Sequence, residues 1–175
     1  MIEQLLSKDK HDAGELAKLL SAAPGDETQM ILDRGLAVKA ATVGRKVYLR
    51  GLIELTNRCR KNCHYCGIRA GNTQAERYTL TDEEVLECAR FAHEQGFGSL
   101  VIQTGELSGE AFAAHIERLL IEIHRQTAGE LTITLSCGEQ PLSVYRRWFE
   151  AGASRYLLRI ETTNRELFEI IHPAD

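Results

Sequence analysis

The sequence predicts an α/β fold: the first half of a TIM-type (β/α) barrel, carried behind a short N-terminal helical extension. Three observations point there. Strand-like and helix-like segments alternate four times between residues 47 and 171, the pattern of parallel strands joined by right-handed crossovers. The helix ends carry start and stop signals at the right places, notably Thr81 with Glu84 at capping-box spacing and glycines at 96 and 152 where left-handed C′ residues are wanted. An eight-fold barrel takes roughly 250 residues. This chain has 175 and stops in His172-Pro173-Ala174-Asp175 after the fourth unit, so it supplies about half of one. A self-contained four-stranded domain is the alternative.

Taken in order, residues 1–46 form the extension, with helices over 11–22 and 26–42 broken at Pro24-Gly25. Residues 47–175 form the half-barrel, continuing beyond the chain end. Its first strand runs from Val47 to Thr56, followed by a helix over Asp82–Gln95. The second strand is Ser99–Gln103, with a helix over Glu110–Thr127. The third is Leu131–Ser136, with a helix over Leu142–Ala151. The fourth is Arg155–Ile160, with a helix over Asn164–Ile171. Leu80 and Val85 bracket the Thr81 cap as a hydrophobic staple.

Composition narrows the class. The chain is 43% hydrophobic and 26% charged, within the range of globular proteins. A net charge of −4 without a long basic run argues against nucleic acid as a partner. No apolar stretch approaches the length of a bilayer span. The opening Met1-Ile2-Glu3-Gln4-Leu5-Leu6 lacks the basic and apolar regions of a signal peptide, which places the chain in the cytoplasm. Three of the five cysteines crowd into eight residues. In a reducing compartment such clustering favours metal or catalytic use over disulfides.

Strand alternation predicts a polar face. Thr132, Thr134 and Ser136 share one side of the third strand, and Ile133 and Leu135 the other. Arg155, Leu157, Arg159 and Glu161 share one side of the fourth, and Glu54 and Thr56 one side of the first. Barrel interiors are normally filled with Val, Ile and Leu. Polar residues there predict a wet cavity that holds a ligand; a solvent-facing edge is the other reading. Arg159 and Glu161 sit where barrel enzymes keep their sites, the arginine suited to a carboxylate and the glutamate to hydroxyl donors, or else both to a mutual ion pair.

The chemistry concentrates after the first strand. Cys59-Arg60-Lys61-Asn62-Cys63-His64-Tyr65-Cys66 has the spacing C-x3-C-x2-C. Three thiolates on one short loop can ligate three irons of a [4Fe–4S] cluster and leave the fourth open to a chelating ligand. A structural zinc site would want four ligands, usually as two close pairs, and His64 is poorly spaced for a fourth. Arg58, Arg60 and Lys61 fit an anionic cluster or a solvated basic loop. Cys88, beside Val85, Ala89 and Ala92, is expected in the core. Cys137 is expected to be structural, and His172 has no assigned role.

The cysteine spacing with Tyr65 before the last cysteine resembles the signature of the radical S-adenosylmethionine (SAM) superfamily, and the fold expected is its kind of barrel. In that family the open iron binds SAM, and one electron splits the sulfonium to give a 5′-deoxyadenosyl radical. The resemblance implies [4Fe–4S] and SAM as cofactors, with Cys59, Cys63 and Cys66 as metal ligands. It places Tyr65, Thr104, Gly105, Glu106, Ser136 and Glu161 at SAM. Thr104-Gly105-Glu106 stands where the family commonly has Gly-Gly-Glu. Several phrases further resemble the HydE family, which matures the [FeFe]-hydrogenase H-cluster. They are Leu52–Asn57, Gly67-Ile68-Arg69, Val101–Glu106, Thr132–Glu139 and Arg155–Thr162. That resemblance makes Thr134 and Arg159 catalytic-site contacts to a small anionic or organometallic iron substrate. It also implies other hydrogenase maturases and a reductant such as ferredoxin or flavodoxin as partners, with no nucleic acid or membrane. Biotin synthase and methylornithine synthase share much of the layout, and a non-enzymatic iron–sulfur electron-transfer module is the reading from another class.

Overall fold

The computed structural model describes residues 2–173. The chain divides into two compact units, Met1–Val47 and Tyr48–Asp175.

The first unit is helical: α1 Ile2–Leu6, α2 Ala13–Leu20 and α3 Asp26–Thr42. Asp12 caps α2, accepting from the Glu15 amide while the Glu15 carboxylate accepts from the Asp12 amide. Gly25 stands at the start of α3, so the break at Pro24-Gly25 falls where the sequence puts it. Arg34 Nε donates to the Leu6 carbonyl at 3.0 Å, and His11 Nε2 bonds the Leu5 carbonyl at 2.8 Å, fastening α1 to its neighbours. Ile2 and Leu5 are buried.

The second unit holds four βα units: β1 Gly51–Thr56, α4 Asp82–Glu94, β2 Ser99–Thr104, α5 Glu110–Gln126, β3 Thr132–Ser136, α6 Leu142–Glu150, β4 Ala153–Tyr156 and α7 Arg165–Ile171. All strands are parallel and lie in sequence order, β1-β2-β3-β4. An unreversed order is that of a barrel wall; a doubly wound sheet reverses its order at a switch point. The expected half-barrel is therefore present.

Two strands are shorter than the alternation suggests. β1 begins at Gly51, which pairs with Leu100; β2 starts at Ser99, so residues 47–49 have no strand beside them, and 47–50 stay exposed, with Arg50 Nε donating to Ser99 Oγ at 3.1 Å. β4 ends at Tyr156, one bond beyond which the Leu157 amide donates to the Leu135 carbonyl. Leu157, Leu158, Arg159 and Ile160 are exposed coil. Strand alternation therefore does not set the directions of Arg159 and Glu161, and the expectation that they share a strand face is corrected.

Register builds the two faces row by row. Gly51, Leu100, Ile133 and Ala153 form one row, and Ile53, Ile102, Leu135 and Tyr156 the next. These pack on the helices, with Val85, Ala89 and Ala92 of α4, Ile116, Leu120 and Ile123 of α5, and Trp148 of α6 in one core. The opposite face carries Leu52, Val101, Thr134 and Arg155 in one row and Glu54, Gln103 and Ser136 in the next. It is the polar face that the sequence predicts. The ladder shifts register between Glu54 and Thr56, so Thr56 pairs with Thr104 and is buried, while Glu54 is exposed. The shared face expected for these two is lost at that irregularity.

Cys88 is exposed, against expectation. Val85, Ala89 and Ala92 define the buried stripe of α4, and Cys88 falls beside it, toward solvent. Cys137 is fully buried in the core.

Candidate functional site

The site grows from the long connection between β1 and α4. Residues 57–80 contain no helix or strand; one bridge, Thr79 to Thr56, returns the chain to the sheet. Connections of this length without regular structure are uncommon and usually functional. Cys59, Cys63 and Cys66 all lie on it, at the C-terminal end of β1, where barrel sites are built.

The turn after β2 lies directly against this loop. Gly105 N donates to the Thr56 carbonyl at 3.1 Å, and the Glu106 carbonyl accepts from Arg60 N at 2.9 Å. The Glu106 amide points at Cys59 Sγ, 3.3 Å away. A Cβ on Gly105 would stand 2.3 Å from the Arg58 carbonyl oxygen and 2.6 Å from Cys59 Cβ. Only glycine lets the two loops touch, which gives the Thr104-Gly105-Glu106 motif its physical reason. Thr104 is buried, its hydroxyl donating to the Gly105 carbonyl at 2.6 Å.

Glu106 joins a third loop to the pair. Its Oε1 accepts from Arg60 Nη2 at 3.1 Å and lies 3.9 Å from Lys61 Nζ. Its Oε2 accepts from the Glu139 amide at 3.2 Å. Gly138, at φ 71, makes room: a Cβ there would meet Glu106 Cγ at 2.4 Å. Arg60 and Lys61 are thus turned toward Glu106, whereas the sequence offered them to an anionic cluster or to solvent.

Tyr65 is anchored from the far end of the chain. Its hydroxyl bonds His172 Nε2 at 2.8 Å, and the rings meet edge to face at 5.4 Å. His172 Nδ1 faces the Phe168 carbonyl at 3.0 Å, an oxygen that can only accept, so Nδ1 is the donor of that bond. The His64 amide donates to the Ile171 carbonyl at 2.9 Å. The Tyr65 phenol is pushed up to about 12, first by partial desolvation and then by the neighbouring Cys63 and Glu161 charges. Glu161 has φ 57, a left-handed conformation uncommon outside glycine. Among the described residues no ion pair joins Arg159 to Glu161.

Thr134 and Ser136 are buried on the polar face. The Thr134 hydroxyl has no hydrogen-bond partner. Where Glu54 and Gln103 of that face meet the loop, with Thr56, Asn57, Ile68, Tyr78 and Thr104, they line an open cleft of about 180 Å³.

The donor set fits an iron–sulfur cluster. The three thiols are free and half-buried, and one already receives an amide hydrogen bond of the kind that tunes such clusters. Burial pushes the Cys63 thiol up, so metal binding must displace its proton. Among the described residues no three Cys, His, Asp or Glu side chains converge where a single ion would sit. A cubane takes one thiolate per iron at separate corners, so convergence is not what it requires.

Sequence reasoning missed His172, Gly138 and Arg77, whose guanidinium donates to the Asn57 and Ile68 carbonyls on either side of the cysteines. None lies in a periodic segment, and each acts on a partner remote in sequence or on backbone carbonyls, which leave no pattern to read.

Fold and site together define a (β/α)-barrel protein with a three-thiolate cluster loop at the C-terminal end of its first strand. The family model of the radical SAM superfamily matches residues 53–174. The chain belongs to that superfamily, whose members use a [4Fe–4S] cluster and SAM. It is 41% identical over 136 residues to the [FeFe] hydrogenase maturase subunit HydE of Thermotoga maritima, covering 78% of this chain and 38% of that protein. It is 31% identical over 169 residues to the biotin synthase of Magnetococcus marinus, covering 94% of this chain and 51% of that one. The chain thus spans about half the length, or less, of these relatives. The crystal structure of methylornithine synthase (PylB) has the same fold, with a TM-score of 0.81 at 21% identity over 99% of this chain and 51% of that one. Among the described residues no helix is long and apolar enough to cross a membrane.

Proposed function

We propose that the whole protein is a radical SAM enzyme that acts in assembly of the [FeFe]-hydrogenase H-cluster, with Cys59, Cys63 and Cys66 as the cluster ligands. The observation that carries the radical SAM reading is the joining of the cysteine loop to the Thr104-Gly105-Glu106 turn through the Glu106 amide and Cys59 Sγ. The 41% identity to a HydE protein supports the maturase assignment. When bound, the cluster and SAM supply a one-electron reductive cleavage that releases a 5′-deoxyadenosyl radical.

The chain's own residues bind, orient and shield. Glu106 is the acceptor for the SAM ammonium, the Tyr65 ring flanks the cofactor under His172, and Ser136 and Glu161 offer acceptors to its hydroxyls. Thr134 and Arg159 face a small anionic or organometallic iron substrate. Other hydrogenase maturases and a ferredoxin or flavodoxin reductant are the partners this reading requires. A biotin synthase-like activity is the second reading, favoured by the 31% identity over 94% of the chain.

The test is anaerobic reconstitution of the full-length protein. SAM should change the EPR signal of the reduced cluster, and 5′-deoxyadenosine should form. Cys63→Ala should abolish both. A signal indifferent to SAM would assign the cluster to electron transfer instead.

A further inference from the structure

Arg77 occupies a place that no motif accounts for. It lies 11 residues beyond Cys66, half-buried, in the segment without helix or strand. Its two terminal nitrogens carry four N–H groups, and four backbone carbonyls surround them. Nη1 donates to Asn57 at 2.7 Å and to Ile68 at 2.8 Å. Nη2 donates to Arg69 at 2.7 Å and to Asn72 at 3.2 Å.

The four carbonyls stand at both ends of the cysteine loop. Asn57 is two residues before Cys59, and Ile68 two residues after Cys66. One planar guanidinium therefore fixes the distance between the entry and the exit of the loop. The flanking bonds repeat that closure. The Asn57 side chain donates to the Glu76 carbonyl at 2.6 Å and accepts from the Tyr78 amide at 2.9 Å, which holds Arg77 from both sides in sequence. Within the loop the Ala70 amide donates to the Lys61 carbonyl at 2.8 Å.

We propose that Arg77 is the positioning residue of the cysteine loop: its four-carbonyl clamp sets the loop in its ligating shape before metal arrives. The segment has few buried apolar side chains to order it, so polar closure must do what a core does elsewhere. A cluster that binds a preset loop is spared the cost of ordering it, and its thiolates are harder to strip. Lysine cannot substitute, because a compact ammonium has three donors at one point and cannot span the carbonyls. The inference rests on the reading of Cys59, Cys63 and Cys66 as cluster ligands.

The test uses the full-length protein with Arg77→Ala and Arg77→Lys, in two states. In the metal-free protein, hydrogen exchange of the Cys66, Ala70 and Asn72 amides should quicken by about tenfold or more in both variants, a change equal to the loss of one charge-assisted bond. Exchange in β1, β2 and β3 should stay as in the parent. In the reconstituted protein, a chelator should strip iron faster from both variants. Millimolar guanidinium, but not methylammonium, should slow that loss in Arg77→Ala. The proposal is overturned by unchanged loop exchange, by equal loss of protection across the strands, or by equal rescue with methylammonium. If the parent protein takes up no iron, the cluster reading fails, and the exchange data still decide the role of Arg77.

Discussion

A methyl group at position 105 would separate the cysteine loop from the sheet, and a cysteine one helical position off the buried stripe of α4 meets water instead of core. Both are facts of single residues, and they differ in how far sequence reveals them. The cysteine spacing could be read directly, because it is a local pattern with a chemical reason; the Thr-Gly-Glu turn gains meaning only from the family resemblance, and Cys137 reads as structural. The exposure of Cys88 is not legible in the same way, because it stands three residues from Val85, where i+3 and i+4 neighbours both flank an apolar position, and only packing chooses between them. The contrast with Cys137 is measurable. Burial pushes the Cys137 thiol up to about 11, so near neutral pH it stays protonated as well as enclosed. In the metal-free full-length protein, iodoacetamide followed by mass spectrometry should label Cys88 early and Cys137 only on unfolding. Labelling of both at one rate would mean that the end of β3 is not packed as described.

Elements follow the same logic one level up. Apart from α1, which is absent from the sequence expectation, helix ends agree with it within a residue or two because caps are local chemistry: Thr81 accepts from the Glu84 amide at 3.2 Å, and Glu84 accepts from Thr81 N at 2.7 Å. Gly96 and Gly152 have the positive φ that their C-terminal positions require. Strand ends agree less well because a strand lasts only as long as its neighbour. The alternation of Arg155 to Ile160 reads as strand throughout, but β3 offers the Leu135 carbonyl to Leu157 and the pairing stops there. The α4 cap yields a prediction at this scale. Thr81→Ala removes one bond of the capping box at the helix that covers β1 and β2, and should lower stability by about 1 kcal/mol. Chemical denaturation of the full-length protein should show a lower midpoint with an unchanged slope. Loss of cluster binding without loss of stability would instead tie the cap to the adjoining loop, whose last residue is Leu80.

For the whole molecule, the open question is what the polar face of the sheet receives. The sequence shows its residues, since alternation sorts Thr134 from Leu135, but not their partners, because partners are set by register across strands. Register puts Thr134 between Val101 and Arg155, and leaves its hydroxyl buried without a bond. A buried hydroxyl in that state costs roughly 1–3 kcal/mol. In the proposed reading the substrate supplies the missing partner. The aliphatic chain of a biotin precursor offers it no partner, whereas the anionic substrate proposed for Thr134 and Arg159 does. Thr134→Val keeps the shape and removes the hydroxyl, so the resting protein should be as stable as the parent or slightly more so. In a host lacking its own HydE, the full-length gene should restore hydrogenase activity, and Thr134→Val should weaken that rescue without lowering the amount of folded protein. Undiminished hydrogenase rescue by the variant would remove Thr134 from the substrate site. Rescue of biotin auxotrophy in place of hydrogenase would keep the radical chemistry and overturn the substrate.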